Sequence, residues 1–182
     1  MHHRIVAVFA LFWLLSICGQ PLAAQSQPPN LLVIVADDLG PETLGCYGMT
    51  RAAIATPAID SIAATGVRFT RAYANPQCSP SRACLQTGRY AFRTGVQQTL
   101  GPGSRTLPAD PGLRDEETLL PEALPSTYAN AMFGKWHLGY RHGNDTPNIQ
   151  GWQHFAGGMD LGLYTYSLWI KVVDGQWSVC TN

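Results

Sequence analysis

Two neighbouring carboxylates, Asp37 and Asp38, stand at the end of the apolar run Leu31–Ala36 (LLVIVA). Acids presented together offer the hard oxygen donors that calcium or magnesium takes, and such a cation would neutralise an anionic substrate. Acidic pairs at strand ends also serve as helix caps or solvated turn residues, so the pair alone leaves both readings open. Zinc is disfavoured, because closely spaced His and Cys ligands of the zinc type are absent from the sequence.

A second group gathers around Cys78, which opens the segment Cys78-Ser-Pro-Ser-Arg-Ala-Cys84. Its thiol falls just ahead of an expected helix start, with Arg82 in the first turn. A helix amino terminus turns free N–H groups and a positive dipole end toward an anion. Lys135 and His137, in Gly134-Lys-Trp-His-Leu-Gly139, add a cation and a hydrogen-bonding ring. Each has a plain alternative: Cys78 as a buried or disulfide-bonded cysteine, Lys135 as a solvated loop charge, His137 as a packed loop histidine.

The elements that would position these side chains follow from local pattern. Leu31–Ala36 reads as a strand covered on both faces of a parallel sheet, and the carboxyl ends of such strands are where ligands bind. Thr56 predicts a helix cap, with Pro57 in the first turn, Ile59, Ile62 and Ala63 at helical spacing, and Gly66 as a left-handed stop. Val67, Phe69 and Ala72 alternate with polar neighbours and predict a strand toward Asn75. Ser79 as a hydroxyl cap followed by Pro80 predicts a second helix ended by Gly88, with Cys78 just outside it. Thr118–Leu124 predicts a brief helix and Tyr128–Phe133 a strand, with Gly134–Gly139 as its loop. The aromatic tail from Gly151 shows no clear period. Strands separated by helices predict an α/β layered fold.

The start of the chain reads as an export signal. Met1–Arg4 is short and basic, and Ile5–Ile17 is apolar but shorter than the roughly 20 residues of a membrane span. Small residues ending at Ala24 place cleavage there, so residues 1–24 are a signal peptide and Gln25 begins the mature chain. A lipid anchor on Cys18 is disfavoured by the bulky Ile17. The expected location is periplasmic or secreted, with no membrane attachment after cleavage. In an oxidising compartment Cys46, Cys78, Cys84 and Cys180 allow two bridges in any of three connectivities. Ser26–Asn30 and Gly101–Gly112 are linker-like. With 12 basic and 12 acidic side chains the net charge is zero, which argues against nucleic acid as a partner. A composition 46% hydrophobic and 13% charged argues against a disordered or fibrous chain.

Residues Cys78–Arg89, with the pattern Cys-x-Pro-x-Arg intact, resemble the sulfatase family of the alkaline phosphatase superfamily. Three further stretches resemble it in the same order: Asn30–Gly40 (NLLVIVADDLG), Thr56–Tyr73 (TPAIDSIAATGVRFTRAY) and Ala131–Gly139 (AMFGKWHLG). The resemblance implies an alkaline phosphatase-like three-layer αβα sandwich with a mainly parallel sheet. Residues 25–182 would be the amino-terminal part of a sulfatase catalytic domain, incomplete at the carboxyl end.

The resemblance also implies that a formylglycine-generating enzyme oxidises Cys78 to formylglycine, guided by Pro80 and Arg82. The hydrated aldehyde would be the nucleophile, held by Arg82 and hydrogen-bonded by His137, with Lys135 on the sulfate. Asp37, Asp38 and residue 78 would ligate calcium, or alternatively magnesium. The implied activity is arylsulfatase-like hydrolysis of a sulfate ester, either a small molecule or a sulfated glycan. The alternatives are a phosphate or phosphonate ester hydrolase of the same superfamily, or a non-catalytic remnant. The family draws a further Asp-Asn metal pair, a His and a Lys from later residues, so little turnover is expected from these 182 residues alone. Gln77 and Gln86 depart from the family pattern and are expected to alter packing more than modification; Leu124–Tyr128 also departs. With Cys78 converted, at most one bridge remains among Cys46, Cys84 and Cys180.

Overall fold

The computed structural model describes residues 28–49, 54–101, 112–160 and 167–181. The expected signal peptide, its cleavage site and most of the linker-like stretch Gly101–Gly112 lie outside the described residues. The chain divides into two compact units, Met1–Asp38 and Leu39–Asn182.

In the first unit Leu31–Ala36 forms no strand. Leu31 to Val35 are all exposed, Leu32 by 85%. The expectation of a doubly covered strand is therefore corrected. The aliphatic run reports a preference for pleated, half-buried surface, and that preference is realised only where a neighbouring strand supplies a ladder. Asp38, at the end of the run, takes the left-handed conformation with φ 55°.

The second unit builds α1 (Pro57–Thr65), α2 (Cys78–Thr87), the single turns α3 (Ala91–Thr94) and α4 (Leu120–Ala123), then β1 (Ala131–Lys135), the single turn α5 (Thr146–Ile149), β2 (His154–Gly158), β3 (Leu168–Val173) and β4 (Gln176–Thr181). Helices and a sheet in one unit make it α/β. Among the described residues the sheet has four strands in the order β1-β2-β3-β4, with β1 parallel to β2 and the other two pairings antiparallel.

Both longer helices lie where their punctuation places them, though the details differ. Thr56 precedes α1 without capping a helix N–H; its hydroxyl donates to Asp60 Oδ1 at 3.0 Å instead. Gly66 ends α1 in an extended conformation, φ −111°, rather than the expected left-handed one. Residues 67–75 form no strand, and Val67 and Phe69 stay exposed. The start of α2 is Cys78, with Gln77 as N-cap residue. Cys78 is thus the first helical residue, not one outside. Pro80 tolerates this frame because the opening N–H groups of a helix have no intrahelical partner to lose. Gly88 ends α2 at φ 66°, donating its N–H to Cys84 O at 2.8 Å.

Strand β1 begins three residues later than the sequence predicts and runs on through Gly134 and Lys135. The reason is a close backbone approach. Gly134 pairs with Gly157, and a Cβ on Gly157 would lie 1.7 Å from Gly134 O. Asn130 and Gln153 lock the entry to this pair, each side chain accepting the other's backbone N–H at 2.8 and 3.0 Å. Behind it Trp136 and Phe155 pack edge to face, centroids 6.4 Å apart, with Leu113, Leu119, Leu138 and Val172 in the same core.

The tail holds strands β2 to β4. Asp174-Gly175 turns β3 into β4, with φ 43° and 80°, and Val173 pairs with Gln176 across it. Aspartate tolerates that left-handed position, and Asp-Gly is the usual pair for a two-residue hairpin. The Asp174 carboxylate accepts the Phe155 N–H at 2.8 Å, the Asn148 amide at 3.0 Å and His154 Nδ1 at 2.7 Å.

Two outcomes follow. Gln86 is buried on α2, its Nε2 facing Met132 sulfur at 3.7 Å while Oε1 has no hydrogen-bond partner among the described residues. Gln86→Leu should therefore raise stability by about 1–3 kcal/mol, the cost of an unsatisfied buried polar group, read as a higher urea midpoint at unchanged slope. The Asp174 carboxyl is held below its ordinary 3.8, first by the Phe155 N–H and then by Asn148. The unfolded chain takes up that proton first, so this contribution is complete above 3.8 and disappears as pH falls through the lower folded value. Between about pH 5 and pH 2 the melting temperature should fall more steeply for the wild type than for Asp174→Asn.

Candidate functional site

The first turn of α2 and the end of β1 meet. Beyond β1 the chain continues along β2, with Trp136 N–H bonding Gly158 O at 2.8 Å and His137 N–H bonding Met159 O at 3.0 Å. His137 there adopts φ 57°, a conformation that few non-glycine residues take. Its ring is buried, with Nδ1 3.3 Å from Cys78 Sγ and Nε2 2.8 Å from Leu100 O. From the helix side, an Arg82 guanidinium N–H donates to Lys135 O at 2.6 Å. Four of the residues singled out in the sequence, Cys78, Arg82, Lys135 and His137, are therefore brought together by one helix tip and one strand end.

The electrostatics set the charge state of the ring. Burial pushes the His137 pKa below 6.5; the Leu100 carbonyl opposes this, and the Lys135 and Arg82 charges push it further down. The ring is accordingly neutral near pH 7. A carbonyl can only accept, so Nε2 carries the proton toward Leu100 and the Nδ1 lone pair faces residue 78. The site presents fixed positive charge from Lys135, Arg82 and the helix end, together with one neutral proton acceptor.

Asp37 and Asp38 belong to the first unit. As adjacent carboxylates they are donors of the class that calcium and magnesium prefer, and they fit such an ion as part of its shell. Calcium takes six to eight oxygens, so two side chains leave much of it to other ligands. Among the described residues no group of three or more His, Cys, Asp or Glu is gathered for a metal. The two-bridge pairing of cysteines is not formed: Cys46, Cys78, Cys84 and Cys180 are all free thiols. Cys84 instead accepts from Asn75 Nδ2 at 3.1 Å.

The sequence reading did not foresee three participants. Ser79 Oγ accepts the Leu100 N–H at 3.1 Å, and Gln77 Oε1 accepts the Thr99 N–H at 2.8 Å. Leu100 itself carries the carbonyl on His137. Gln77 and Ser79 were in plain view beside Cys78, but no local signal announces that residues 99–100 return to them. His142 and His154, given no role from sequence, pair with Asp115 and Asp174.

A family model described as Sulfatase matches residues 29–169. The chain is 43% identical over 136 residues to N-acetylgalactosamine-6-sulfatase of Sus scrofa, covering 72% of this chain and 26% of the relative. It is 44% identical over 138 residues to arylsulfatase A of Homo sapiens, covering 74% and 26%. With N-acetylgalactosamine-6-O-sulfatase of Bacteroides thetaiotaomicron it shares 41% over 162 residues, covering 81% and 30%. The chain thus spans about a quarter of the length of the curated relatives it matches. Among solved structures, Ps i-CgsB in complex with k-i-k-neocarrahexaose aligns with TM-score 0.64 and 35% identity, over 74% of this chain and 29% of that one. A structure from work on the metabolism of multiple glycosaminoglycans by Bacteroides thetaiotaomicron aligns with TM-score 0.66 and 31% identity, over 84% and 32%. The α/β, alkaline phosphatase-like class expected from the sequence is the class of these neighbours. The match across residues 29–169, with Cys-x-Pro-x-Arg at the start of α2, means that the chain belongs to the sulfatase family.

Proposed function

We propose that this chain carries the nucleophile half of an exported sulfuric ester hydrolase, with Cys78 as the precursor of formylglycine. The observation that carries the reading is the meeting of Cys78 Sγ and His137 Nδ1, 3.3 Å apart, at the amino terminus of α2. Conversion would replace the thiol with a hydrated aldehyde, whose oxygen can attack sulfur and whose second hydroxyl permits release of sulfate by re-forming the carbonyl, a route closed to serine.

The residues of the chain divide the remaining work. His137, neutral and fixed with its Nδ1 lone pair toward residue 78, accepts a hydroxyl proton there. Arg82, anchored on Lys135 O, places positive charge one turn from residue 78 and favours its ionised form. Lys135 supplies the ammonium for a non-bridging sulfate oxygen, and the start of α2 adds its dipole. Asp37 and Asp38 would supply part of the shell of calcium or magnesium, which would add positive charge for the anion. Two carboxylates fill a minority of a calcium shell, so the cation binds weakly and turnover by residues 25–182 alone is low. The substrate class is a sulfate ester, as a small aryl ester or a sulfated sugar; the names of the relatives, N-acetylgalactosamine-6-sulfatase and arylsulfatase A, support both. Residues 1–24 serve as the signal peptide that delivers the chain to the periplasm or the exterior.

Co-expression of the full chain with a formylglycine-generating enzyme, followed by mass spectrometry of the peptide containing Cys78, tests this reading. The expected result is loss of the thiol and appearance of a hydrazide-reactive aldehyde in the wild type, abolished in Arg82→Ala. A thiol left intact in a competent host would overturn it in favour of an unmodified remnant. Any turnover should favour 4-nitrophenyl sulfate over 4-nitrophenyl phosphate, and the reverse preference would assign the chain to phosphate ester hydrolysis.

A further inference from the structure

Gln77 and Ser79 flank Cys78, yet both side chains are engaged elsewhere, on the backbone of Thr99 and Leu100. We propose that Gln77 and Ser79 are positioning residues that hold the Leu100 carbonyl on His137 Nε2, and so keep the ring proton on the side away from residue 78. The proposal rests on the reading of His137 as the proton acceptor for residue 78, and deepens it.

The geometry is that of a strap tied at two consecutive amides. Ser79 is completely buried, and its Oγ lies 3.1 Å from Leu100 N. Gln77 Oε1 lies 2.8 Å from Thr99 N. The Leu100 side chain is itself buried, in the core cluster that holds Ala83 of α2 and Trp136. Two anchored amides and a packed side chain leave the ψ torsion of Leu100 as the main freedom of its carbonyl. That carbonyl stands 2.8 Å from His137 Nε2.

Without the strap a neutral imidazole has a second arrangement open to it. The proton can sit on Nδ1 and point at residue 78, turning the ring from acceptor into donor. The Leu100 carbonyl forbids that form, because it would leave two lone pairs facing each other across the Nε2 contact. Gln77 and Ser79 thus act on the chemistry at residue 78 through a neighbour in space, although they adjoin it in sequence.

The test is made on the full, unconverted chain, uniformly labelled with 15N, so that failed conversion of Cys78 and failed positioning are read separately. Long-range 1H–15N correlation near pH 8 reports which ring nitrogen of His137 bears the proton, with His137→Gln assigning the signals. The wild type should show a protonated Nε2 and a bare Nδ1. In Gln77→Ala/Ser79→Ala the Nε2–H population relative to Nδ1–H should fall about 5- to 10-fold, the equivalent of one hydrogen bond. Gln77→Glu, which keeps the acceptor, should restore the wild-type ratio when Ser79 is intact. A wild-type ring protonated on Nδ1 would overturn the proposal. So would a doubly substituted chain whose amide spectrum stays folded and whose tautomer ratio is unchanged.

Discussion

The parallel pairing of β1 with β2 is the constraint on which the rest of the site depends. It works because Gly157, opposite Gly134, has no side chain: a Cβ there would lie 1.7 Å from Gly134 O, while Gly134 itself holds φ 103°, which few other residues adopt. The ladder then runs past the strand end through Trp136 and His137, so the buried Trp136 indole and the left-handed His137 are held by main-chain bonds to Gly158 and Met159. Arg82 closes the arrangement from the opposite side by bonding Lys135 O. A loop of ordinary mobility would not keep an imidazole at a fixed distance from a helix tip; a ladder extended by two bonds does.

The charges around residue 78 are arranged so that cationic and proton-accepting roles fall to different groups. Lys135, Arg82 and the α2 dipole supply positive potential for an anion, and two of these, together with burial, disfavour a third cation on His137. The imidazole consequently stays neutral, with its Nδ1 facing residue 78 and its Nε2 on Leu100 O. Such fixed donors and charges are effective because they need no reorganisation when an oxyanion arrives.

How much of this was legible in the sequence depended on the range of the interaction. The start and stop of α2 rest on Pro80 and Gly88, local signals of which the stop holds at Gly88 and the start lies two residues earlier than Ser79 and Pro80 indicate, and Cys-x-Pro-x-Arg is contiguous. The grouping of Cys78 with His137 follows from the family resemblance alone, since nothing in the intervening residues specifies it. Leu31–Ala36 failed as a strand because an aliphatic run records a preference and not a partner. The strands of the tail are hard to read from sequence because its aromatic residues have no period, although Asp174-Gly175 marks the hairpin. Gln86 and Gln77 both depart from the family pattern. Gln86 buries an oxygen that is unpaired among the described residues while Gln77 accepts the Thr99 N–H, and their difference lies in what stands opposite each in space, which local sequence does not encode.

The side chain at position 78 lies against the His137 ring at the tip of α2. Nuclear Overhauser contacts from the Cys78 β-protons in the reduced, unconverted chain test it most directly. A strong contact to the His137 ring protons is expected, together with the helical contacts of a residue in the first turn of α2. Contacts from those β-protons to another cysteine's β-protons in a disulfide, or to a set of neighbours that excludes His137, would contradict it.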